Sequence, residues 1–540
     1  MLNSDVEYQN INFSQSFDQA LIDDGYGYHI YQLKQPLQPG DSLSLTFEAA
    51  YSPTGFTNTG SNTDIVENGT FFNHFYFPMI GYNDIFELRD VDIRKKYGLE
   101  ERKRFPSIDD TVAVYNTLIA QDADWIDFEA TVSTTPDQIA IVPGYLQKEW
   151  EENGRKYFHY KMDSKMLKFY SIVSARYKVE KDVWKAPDGR DINLEIYYHG
   201  PHTYNIDRMM DAMKKSLAYF TENFSPYQHQ QVRILEFPRY ASFAQSFANT
   251  IPYSEEVGFI ADVDEDDVDY PFYITAHELA HQWWAHQVIG GNVQGFQFLS
   301  ETMSQYGALM VMEKEFGPEN IKKYLKYEMN QYLRGRTAER VEELPALLSE
   351  NQLYIHYNKG SVIMYALKDY IGEDSLNAAL RRYIDAVAFQ EAPYTTTKEW
   401  LSYVQEVTPD SLKYILTDMF ETITLFDNKV TEATYEKLDD DTYKVAFKVE
   451  ANKLRDDGHG EETEIRINDY IDIGIFGREK VDGKWKDIPL YFQKHKIDKK
   501  EMEFEFTVNS QPREVGIDPY NKLIDRKPDD NTKRVTRKTE

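Results

Sequence analysis

Apolar and polar residues alternate with a period of two over the first part of the chain, to about residue 185. The stretch 43–47 reads Leu-Ser-Leu-Thr-Phe and follows the turn pair Pro39-Gly40. Alternation of this kind is typical of β-strands with one buried face, and turn-forming clusters separate several such stretches. We therefore expect residues 1–185 to form an N-terminal β-rich domain, built as a β-sandwich or a saddle-like sheet.

The period changes to that of an α-helix near residue 205. Just before this point, 192–196 is a strand-like stretch with isoleucine or leucine at every second position. Beyond it, apolar side chains recur three or four residues apart at Ile206, Met209, Met210, Met213, Leu217, Phe220 and Phe224. We interpret this stripe as the core-facing side of an amphipathic helix and not as a metal or cofactor feature. Helical patterns continue to about residue 425, which predicts a central α/β domain at 186–428.

The period of two returns near residue 430. Apolar and polar residues alternate in three stretches, 443–449, 471–475 and 502–508. Asp482-Gly483 falls between two strand-like runs, as the turn of a β-hairpin would. We expect a C-terminal β-sandwich at 429–526 and a polar, mobile tail at 527–540. The whole pattern predicts a multidomain α+β protein.

Charge and composition exclude several partners and chemistries. The 540 residues contain 90 acidic and 60 basic side chains, which gives a formal net charge of -30. A surface this acidic repels a phosphate backbone, so we exclude a nucleic-acid partner. The sequence has no cysteine, so a zinc ion would have to be held by histidine and carboxylate side chains. With no basic and apolar leader and no apolar run of ~20 residues, we expect the chain to be soluble as given.

The clearest chemical signal is His277-Glu278-Leu279-Ala280-His281. On a helix, positions i and i+4 lie on one face, so both imidazoles can bind one metal ion. Glu278 lies beside them, where it can act as a general base toward an attacking water. A catalytic zinc site has three protein ligands and keeps one position open, so a third ligand is needed. The segment 298–306 reads as a second helix, and Glu301 is its only acid. We predict one Zn²⁺ held by His277, His281 and Glu301.

The stretch His277–Trp284 followed by Leu299-Ser300-Glu301 resembles the aminopeptidase N family of zinc metallopeptidases, which are gluzincins with a thermolysin-like catalytic domain. The resemblance implies a thermolysin-like domain at 186–428 and a peptide substrate. Relatives have one residue fewer between the second histidine and the ligand glutamate, and Ser300 holds that position here. A one-residue loop insertion before the second helix would bring Glu301 back into place.

A later segment, Tyr357-Asn358-Lys359-Gly360, is similar to the family's Tyr-x-Lys-Gly segment. The resemblance implies that Tyr357 stabilises the transition state, and its phenolic hydroxyl is a suitable donor to an oxyanion. Tyr354 and His356 are nearby rivals for this role, and the sequence leaves the choice open.

The family's Gly-x-Met-Glu-Asn strand, whose glutamate binds the free α-amine of the substrate, has no clear counterpart. Anchoring on 251–255 places 243–247 over that motif, with Ser246 at the position of the glutamate. A serine hydroxyl does not pair with an ammonium group as strongly as a carboxylate does. We take Gln245, Ser246 and Asn68 as candidate substrate-binding residues, and a loop turn is an alternative role for Asn68. The carboxylates that could compensate for Ser246 are Glu67, Glu255 and Glu256.

We therefore predict a zinc-dependent peptidase, an aminopeptidase for short peptides with Glu278 as general base and Tyr357 as oxyanion stabiliser. The alternatives are an oligopeptidase or endopeptidase that needs no free N-terminus, and a non-catalytic zinc-binding module of a membrane protein. The chain is also similar to bacterial chains in which a peptidase region is joined to a transporter-permease membrane segment. By that analogy we expect a membrane domain in a longer parent chain. The peptidase part would be extracytoplasmic and tethered to the membrane, with a cytoplasmic location as the alternative.

Overall fold

The computed structural model of the chain describes residues 2–3, 5–23, 25, 27–53, 62–82, 87–100, 102, 104–264, 267–481 and 484–538. The chain divides into two compact units, the first formed by Met1–Val293 and Ile384–Thr396 and the second by Gln294–Tyr383 and Thr397–Glu540. The domain boundaries predicted at residues 185, 428 and 526 stay a prediction. Asp482-Gly483, the predicted hairpin turn, lies outside the described residues.

Short antiparallel strands make up the first part of the first unit. Their bounds are β1 (Glu7–Phe13), β2 (Phe17–Asp23), β3 (Tyr28–Leu33), β4 (Leu45–Ala50), β5 (Thr70–Asn73), β6 (Trp125–Ile126), β7 (Glu129–Thr134), β8 (Ile139–Ile141), β9 (Tyr145–Glu152), β10 (Arg155–Lys161), β11 (Met166–Leu167) and β12 (Ser171–Ala175). The strands pair as β1–β4, β2–β3, β6–β11, β5–β12–β8 and β7–β10–β9. Within the described residues, a short helix, α1 (Val91–Lys96), and the 3₁₀ turns His74–Tyr76 and Ala113–Tyr115 accompany them.

A four-stranded sheet with two helices follows in the same unit. Its strands lie in chain order, β13 (Lys178–Lys185), β14 (Asp191–Tyr198), β15 (Gln231–Phe237) and β16 (Thr250–Ser254). The pairs β14–β15 and β15–β16 are parallel, so the carboxyl ends of these three strands lie at one edge of the sheet. Helix α2 (Ile206–Asn223) connects β14 to β15 and buries every residue of the predicted apolar stripe within its bounds, which confirms that interpretation. Helix α3 (Tyr270–Ala280) comes after β16.

The second unit begins with helices. They are α4 (Met303–Phe316), α5 (Pro318–Ala338), α6 (Gly360–Ile371), α7 (Glu373–Val387, whose residues from Ile384 onward belong to the first unit), α8 (Thr397–Val407) and α9 (Tyr414–Leu416). Two 3₁₀ turns are also present (Ala346–Leu348 and Asp410–Leu412). Three π-helical turns adjoin α-helices, Phe298–Thr302, Tyr354–Lys359 and Thr417–Glu421. None of the helices in the described ranges is long and apolar enough to span a bilayer.

Two sheets complete the second unit. Their strands are β17 (Ile423–Lys437), β18 (Tyr443–Asp456), β19 (Glu462–Ile465), β20 (Asp469–Val481), β21 (Lys484–Ile497), β22 (Glu501–Val508), β23 (Glu514–Ile517), β24 (Thr532–Arg534) and β25 (Thr536–Arg537). One sheet has the order β19-β18-β17-β25 with β22 also paired to β18, and the other has the order β21-β20-β23-β24. The mixture of helical and sheet modules confirms the predicted α+β class.

The polar C-terminal segment differs from the expected mobile tail. Strand β24 pairs with β23, and β25 pairs with β17. Asn531 is fully buried. Backbone N–H and C=O groups pair whatever the side chains are, so a polar segment can extend a sheet without an apolar pattern in its sequence.

Candidate metal centre and catalytic residues

Helix α3 carries His277 and Glu278 in a buried part of the first unit, and His281 is the residue that caps its C-terminal end. Asp269 caps the helix, because its side chain accepts a hydrogen bond from the Phe272 backbone N–H at 3.1 Å. His277, Glu278 and His281 are 7%, 6% and 8% exposed. A neutral imidazole and a carboxylate in such surroundings need polar or metal partners.

The two imidazoles point their Nε2 atoms at each other. These atoms lie 3.0 Å apart, and the ring planes are perpendicular. His281 Nδ1 lies 3.1 Å from the carbonyl oxygen of Trp284, which can only accept, so the proton of the neutral ring is on Nδ1 and Nε2 keeps its lone pair. Two nitrogen ligands of a tetrahedral zinc ion with bonds of ~2.0–2.1 Å lie about 3.3 Å apart. The pair therefore fits a shared metal ion, with a carbonyl orienting one ligand from behind.

Glu278 completes this cluster. One potential ligand atom from each of His277, Glu278 and His281 lies within 4.8 Å of the others. Burial, and next the negative charge of Glu278, hold the pKa of Tyr253 well above its usual value, so this neighbour stays a neutral phenol. A carboxylate beside two metal-binding imidazoles is suitably placed to act as a general base.

The segment aligned with the amine-binding motif lies against the residues that follow His281. The Gln245 backbone N–H donates to Pro252 O at 3.0 Å, so this segment runs alongside β16. Ser246 is buried, and its Oγ accepts a hydrogen bond from Gln282 Nε2 at 2.6 Å. His286 Nε2 donates to Ser246 O at 3.0 Å, and burial lowers the pKa of His286 to about 4, so the ring is neutral. The hydroxyl of Ser246 is thus engaged inside the protein.

The sequence reasoning missed Gln282 and His286 as positioning residues. Gln282 is fully buried and also donates to Phe247 O at 2.9 Å, and its Oε1 accepts from the Asn249 N–H at 3.0 Å. The sequence signal for these contacts was that Gln282 and His286 interrupt an otherwise apolar stretch after His281.

The remaining candidate substrate-binding residues lie on the same unit. Gln245 lines a pocket of about 190 Å³ whose walls include Phe71, Tyr76 and Phe237. Asn68 Oδ1 accepts from the Arg176 backbone N–H at 2.7 Å, which fits the turn role. A contact of Gln245 or Asn68 with substrate stays a prediction.

Glu301 lies in the second unit, in the π-helical turn Phe298–Thr302 that leads into α4. A π-helical turn contains one residue more than an α-helical turn, so it can absorb a one-residue insertion while the helix beyond it keeps its phase. This turn can therefore accommodate one extra residue within the helix, and the predicted loop insertion before the helix stays a prediction. Turns of this kind are frequent at functional sites.

Tyr357 lies on a second π-helical turn of the same unit, Tyr354–Lys359. Thr302 Oγ1 donates to His356 O at 2.6 Å, which ties this turn to the one that carries Glu301. A Cβ on Gly360 would lie 2.5 Å from Thr302 Oγ1, so only glycine permits this approach. Close helix packing thus explains the glycine of the Tyr-x-Lys-Gly segment, and the role of Tyr357 stays a prediction.

The two rivals of Tyr357 have other partners. The Tyr354 hydroxyl accepts from Gln352 Nε2 at 3.3 Å, and burial together with the charges of Glu343 and Glu339 raises its pKa. His356 is buried, which lowers its pKa to about 4 against the opposing effect of Glu301. Tyr357 is half-buried and lines an open groove of about 580 Å³ together with Tyr327, Gln331, Arg334, Gly335, Leu353, Tyr354 and Asn358.

A buried helix with two convergent imidazoles and an adjacent carboxylate is the chemical arrangement of a metallopeptidase. Residues 208–420 match the model of the peptidase family M1 domain, and this stretch contains the H-E-x-x-H helix. The match confirms the predicted resemblance to the aminopeptidase N family.

The relatives found by sequence are aminopeptidases. The chain is 23% identical to human endoplasmic reticulum aminopeptidase 2 over 219 residues, which is 37% of this chain and 22% of the relative. It is 23% identical to the leucyl aminopeptidase of Saccharolobus solfataricus over 285 residues, 49% of this chain and 34% of the relative. The chain thus matches about a fifth to a third of the length of these relatives.

A solved structure shows the same fold. Aminopeptidase A of Legionella pneumophila, determined in complex with aspartic acid, superposes with a TM-score of 0.50 at 17% sequence identity. The superposition covers 78% of this chain and 46% of that one. It supports the multidomain α+β architecture.

Proposed function

We propose that the chain is a zinc-dependent peptidase, and specifically an aminopeptidase that acts on short peptides. The observation that carries the proposal is the pair of imidazole Nε2 atoms 3.0 Å apart on the H-E-x-x-H helix, next to the buried Glu278. The match of 208–420 to a peptidase domain supports the same chemistry. We also propose that a longer parent chain tethers this peptidase to the membrane on the extracytoplasmic side, with a cytoplasmic location as the alternative.

The proposed zinc ligands are His277, His281 and Glu301. Two neutral nitrogens and one carboxylate oxygen are a usual donor set for catalytic zinc. The π-helical turn supports Glu301 over Ser300, because a turn of this kind can absorb the one extra residue between His281 and Glu301. A serine hydroxyl is also a poorer ligand than a carboxylate.

When bound, Zn²⁺ polarises the scissile carbonyl and lowers the pKa of water toward ~7. Glu278 accepts the proton of the attacking water and later delivers it to the leaving amine. Tyr357 donates a hydrogen bond to the oxyanion that develops on the carbonyl oxygen. The groove beside Tyr357 accommodates the peptide chain.

A second candidate is an oligopeptidase that needs no free N-terminus. It is favoured by Ser246, because this position has no carboxylate, whereas the family uses a glutamate there to bind the substrate amine. The Ser246 hydroxyl also already accepts a hydrogen bond from Gln282. Rates on aminoacyl-anilides and on the same sequences with blocked N-termini separate the two functions. The aminopeptidase proposal expects cleavage of the free series, and cleavage of the blocked series alone overturns it.

The role of Glu278 is tested with Glu278→Gln. We expect kcat to fall by roughly 10²–10⁴-fold, because the proton acceptor is lost, while the zinc content is unchanged. Glu180→Gln, at an exposed position on β13, is the matched control and should leave both quantities unchanged. Unaltered turnover in Glu278→Gln would refute the assignment.

A further inference from the structure

Four side chains of the first unit meet at the edge where three parallel strands end. His199 directly follows β14, Glu236 is the last residue but one of β15, and Glu255 directly follows β16. His202 lies three residues beyond His199, in the loop that leads to α2. Ligands of open α/β sheets bind outside the carboxyl ends of the strands, and this edge is such a place.

The polar atoms of these residues converge. His202 Nδ1 is hydrogen-bonded to Glu236 Oε1 and lies 3.7 Å from Glu255 Oε2. His199 Nδ1 lies 3.4 Å from the same Glu236 Oε1. One potential ligand atom from each of the four lies within 4.8 Å of the others. Ligands around a tetrahedral ion with bonds of ~2.0–2.2 Å lie about 3.3–3.6 Å apart. The separations of 3.4 and 3.7 Å are at or near this range.

Backbone groups orient both carboxylates. The His199 backbone N–H donates to Glu236 Oε2 at 2.6 Å, and the Arg239 N–H donates to Glu255 Oε1 at 3.1 Å. In each carboxylate one oxygen is held in this way, and the other faces the histidines. The Tyr177 ring stacks on His199, with 10° between the planes, and its hydroxyl donates to the Glu236 carbonyl oxygen at 2.7 Å. Supporting contacts of this kind are characteristic of metal ligands.

The charges of the cluster favour a cation. Glu236 is fully buried and the side chain of Glu255 is only 15% exposed, so two close carboxylates need positive compensation. Within the described part of the chain, both carboxylates form ion pairs with His199 or His202 and with no lysine or arginine. A divalent cation neutralises both carboxylates while the imidazoles stay neutral and coordinate it.

We propose that His199, His202, Glu236 and Glu255 form a second metal site, distinct from the one on α3. Two nitrogen and two oxygen donors suit a first-row divalent ion, and Zn²⁺ accepts this set in a tetrahedron. Four protein ligands leave no open position, so the site is structural. It fastens the loop after β14 and the turn after β16 to the end of β15.

Metal counting tests the proposal. The purified chain is loaded with Zn²⁺, dialysed against a mild chelator and analysed by mass spectrometry of its metal content. We expect about two zinc ions per chain in the wild type and about one in the double variant His202→Ala/Glu255→Gln. The matched control is His159→Ala/Glu129→Gln, which removes a solvent-accessible His–Glu pair at 2.8 Å outside the cluster and should keep both ions.

A second variant keeps the test independent of folding at the new site. His277→Ala/His281→Ala removes the site on α3 and leaves the four residues intact, so it should retain about one zinc ion and melt at a lower temperature after strong chelation. The proposal is overturned if the wild type binds one zinc ion and this variant binds none. The four residues would then form ion pairs only. Neither experiment measures peptidase activity, so its result does not depend on whether the proposed function is correct.

Discussion

Gln282 offers a sharp test of how the metal-binding helix is positioned. In Gln282→Leu the side chain keeps a similar size, but the amide that bridges Ser246, Phe247 and Asn249 is lost. Phe247 O keeps a hydrogen bond from the Thr250 N–H, whereas Ser246 Oγ and the buried Asn249 N–H lose the partners that Gln282 provides. A buried polar group without a partner costs about 1–3 kcal/mol, so the two groups together cost about 2–6 kcal/mol.

The assay is thermal unfolding followed by circular dichroism. A loss of about 1 kcal/mol lowers the melting temperature of a unit as large as the first one by ~2–4 °C. The melting temperature of the first unit should therefore fall by at least roughly 4 °C. Gln147→Leu is the matched control, because Gln147 is exposed and makes only a local bond to Tyr145 O, and it should change stability by less than about 0.5 kcal/mol. Equal melting temperatures for the two variants would refute the reasoning that Gln282 holds this region together.

Three further outcomes follow from the second unit. Tyr357→Phe should lower kcat by about 10²–10³-fold with little change in KM, whereas Tyr354→Phe should mainly lower the melting temperature, and steady-state kinetics separates the two. Gly360→Ala should destabilise the protein because its Cβ collides with Thr302, and Thr302→Ala should partly rescue it in a double-mutant cycle measured by unfolding. Burial raises the pKa of Asp518 to about 7, so between about pH 4 and 7 the folded state holds a proton that the unfolded state releases, and the free energy of unfolding falls as pH rises through this range. Asp518→Asn should make the free energy of unfolding less dependent on pH in denaturant titrations at several pH values, and an unchanged pH dependence would refute this role of Asp518.

Local periodicity predicted the elements that bury one regular face. Helix α2 and strand β14 were predicted because apolar residues recur at every turn of the helix and at every second position of the strand. The sequence also predicted the H-E-x-x-H helix, because its two histidines are spaced by one turn. These features depend only on residues close together in the chain.

Contacts between distant residues could not be predicted in this way. Gln282 and Ser246 are 36 residues apart, and the four side chains around Glu236 come from three strand ends. The sequence also showed no sign of the π-helical turn that carries Glu301, which offers a second place for the extra residue besides a loop. A one-residue insertion leaves no apolar pattern that shows where the backbone takes it up.

The candidate catalytic residues of both units are positioned by their neighbours in sequence. Gln282 follows His281, Thr302 follows Glu301, and the carbonyl that Thr302 contacts belongs to His356, the residue before Tyr357. Successive residues of a helix point about 100° apart, so when one side chain faces a site, the next one faces the packed interior. The neighbour can therefore fix the helix without touching the substrate. Substitutions at Gln282 and Thr302 should consequently change how well the chemistry is aligned, while Glu278 and Tyr357 remain chemically intact.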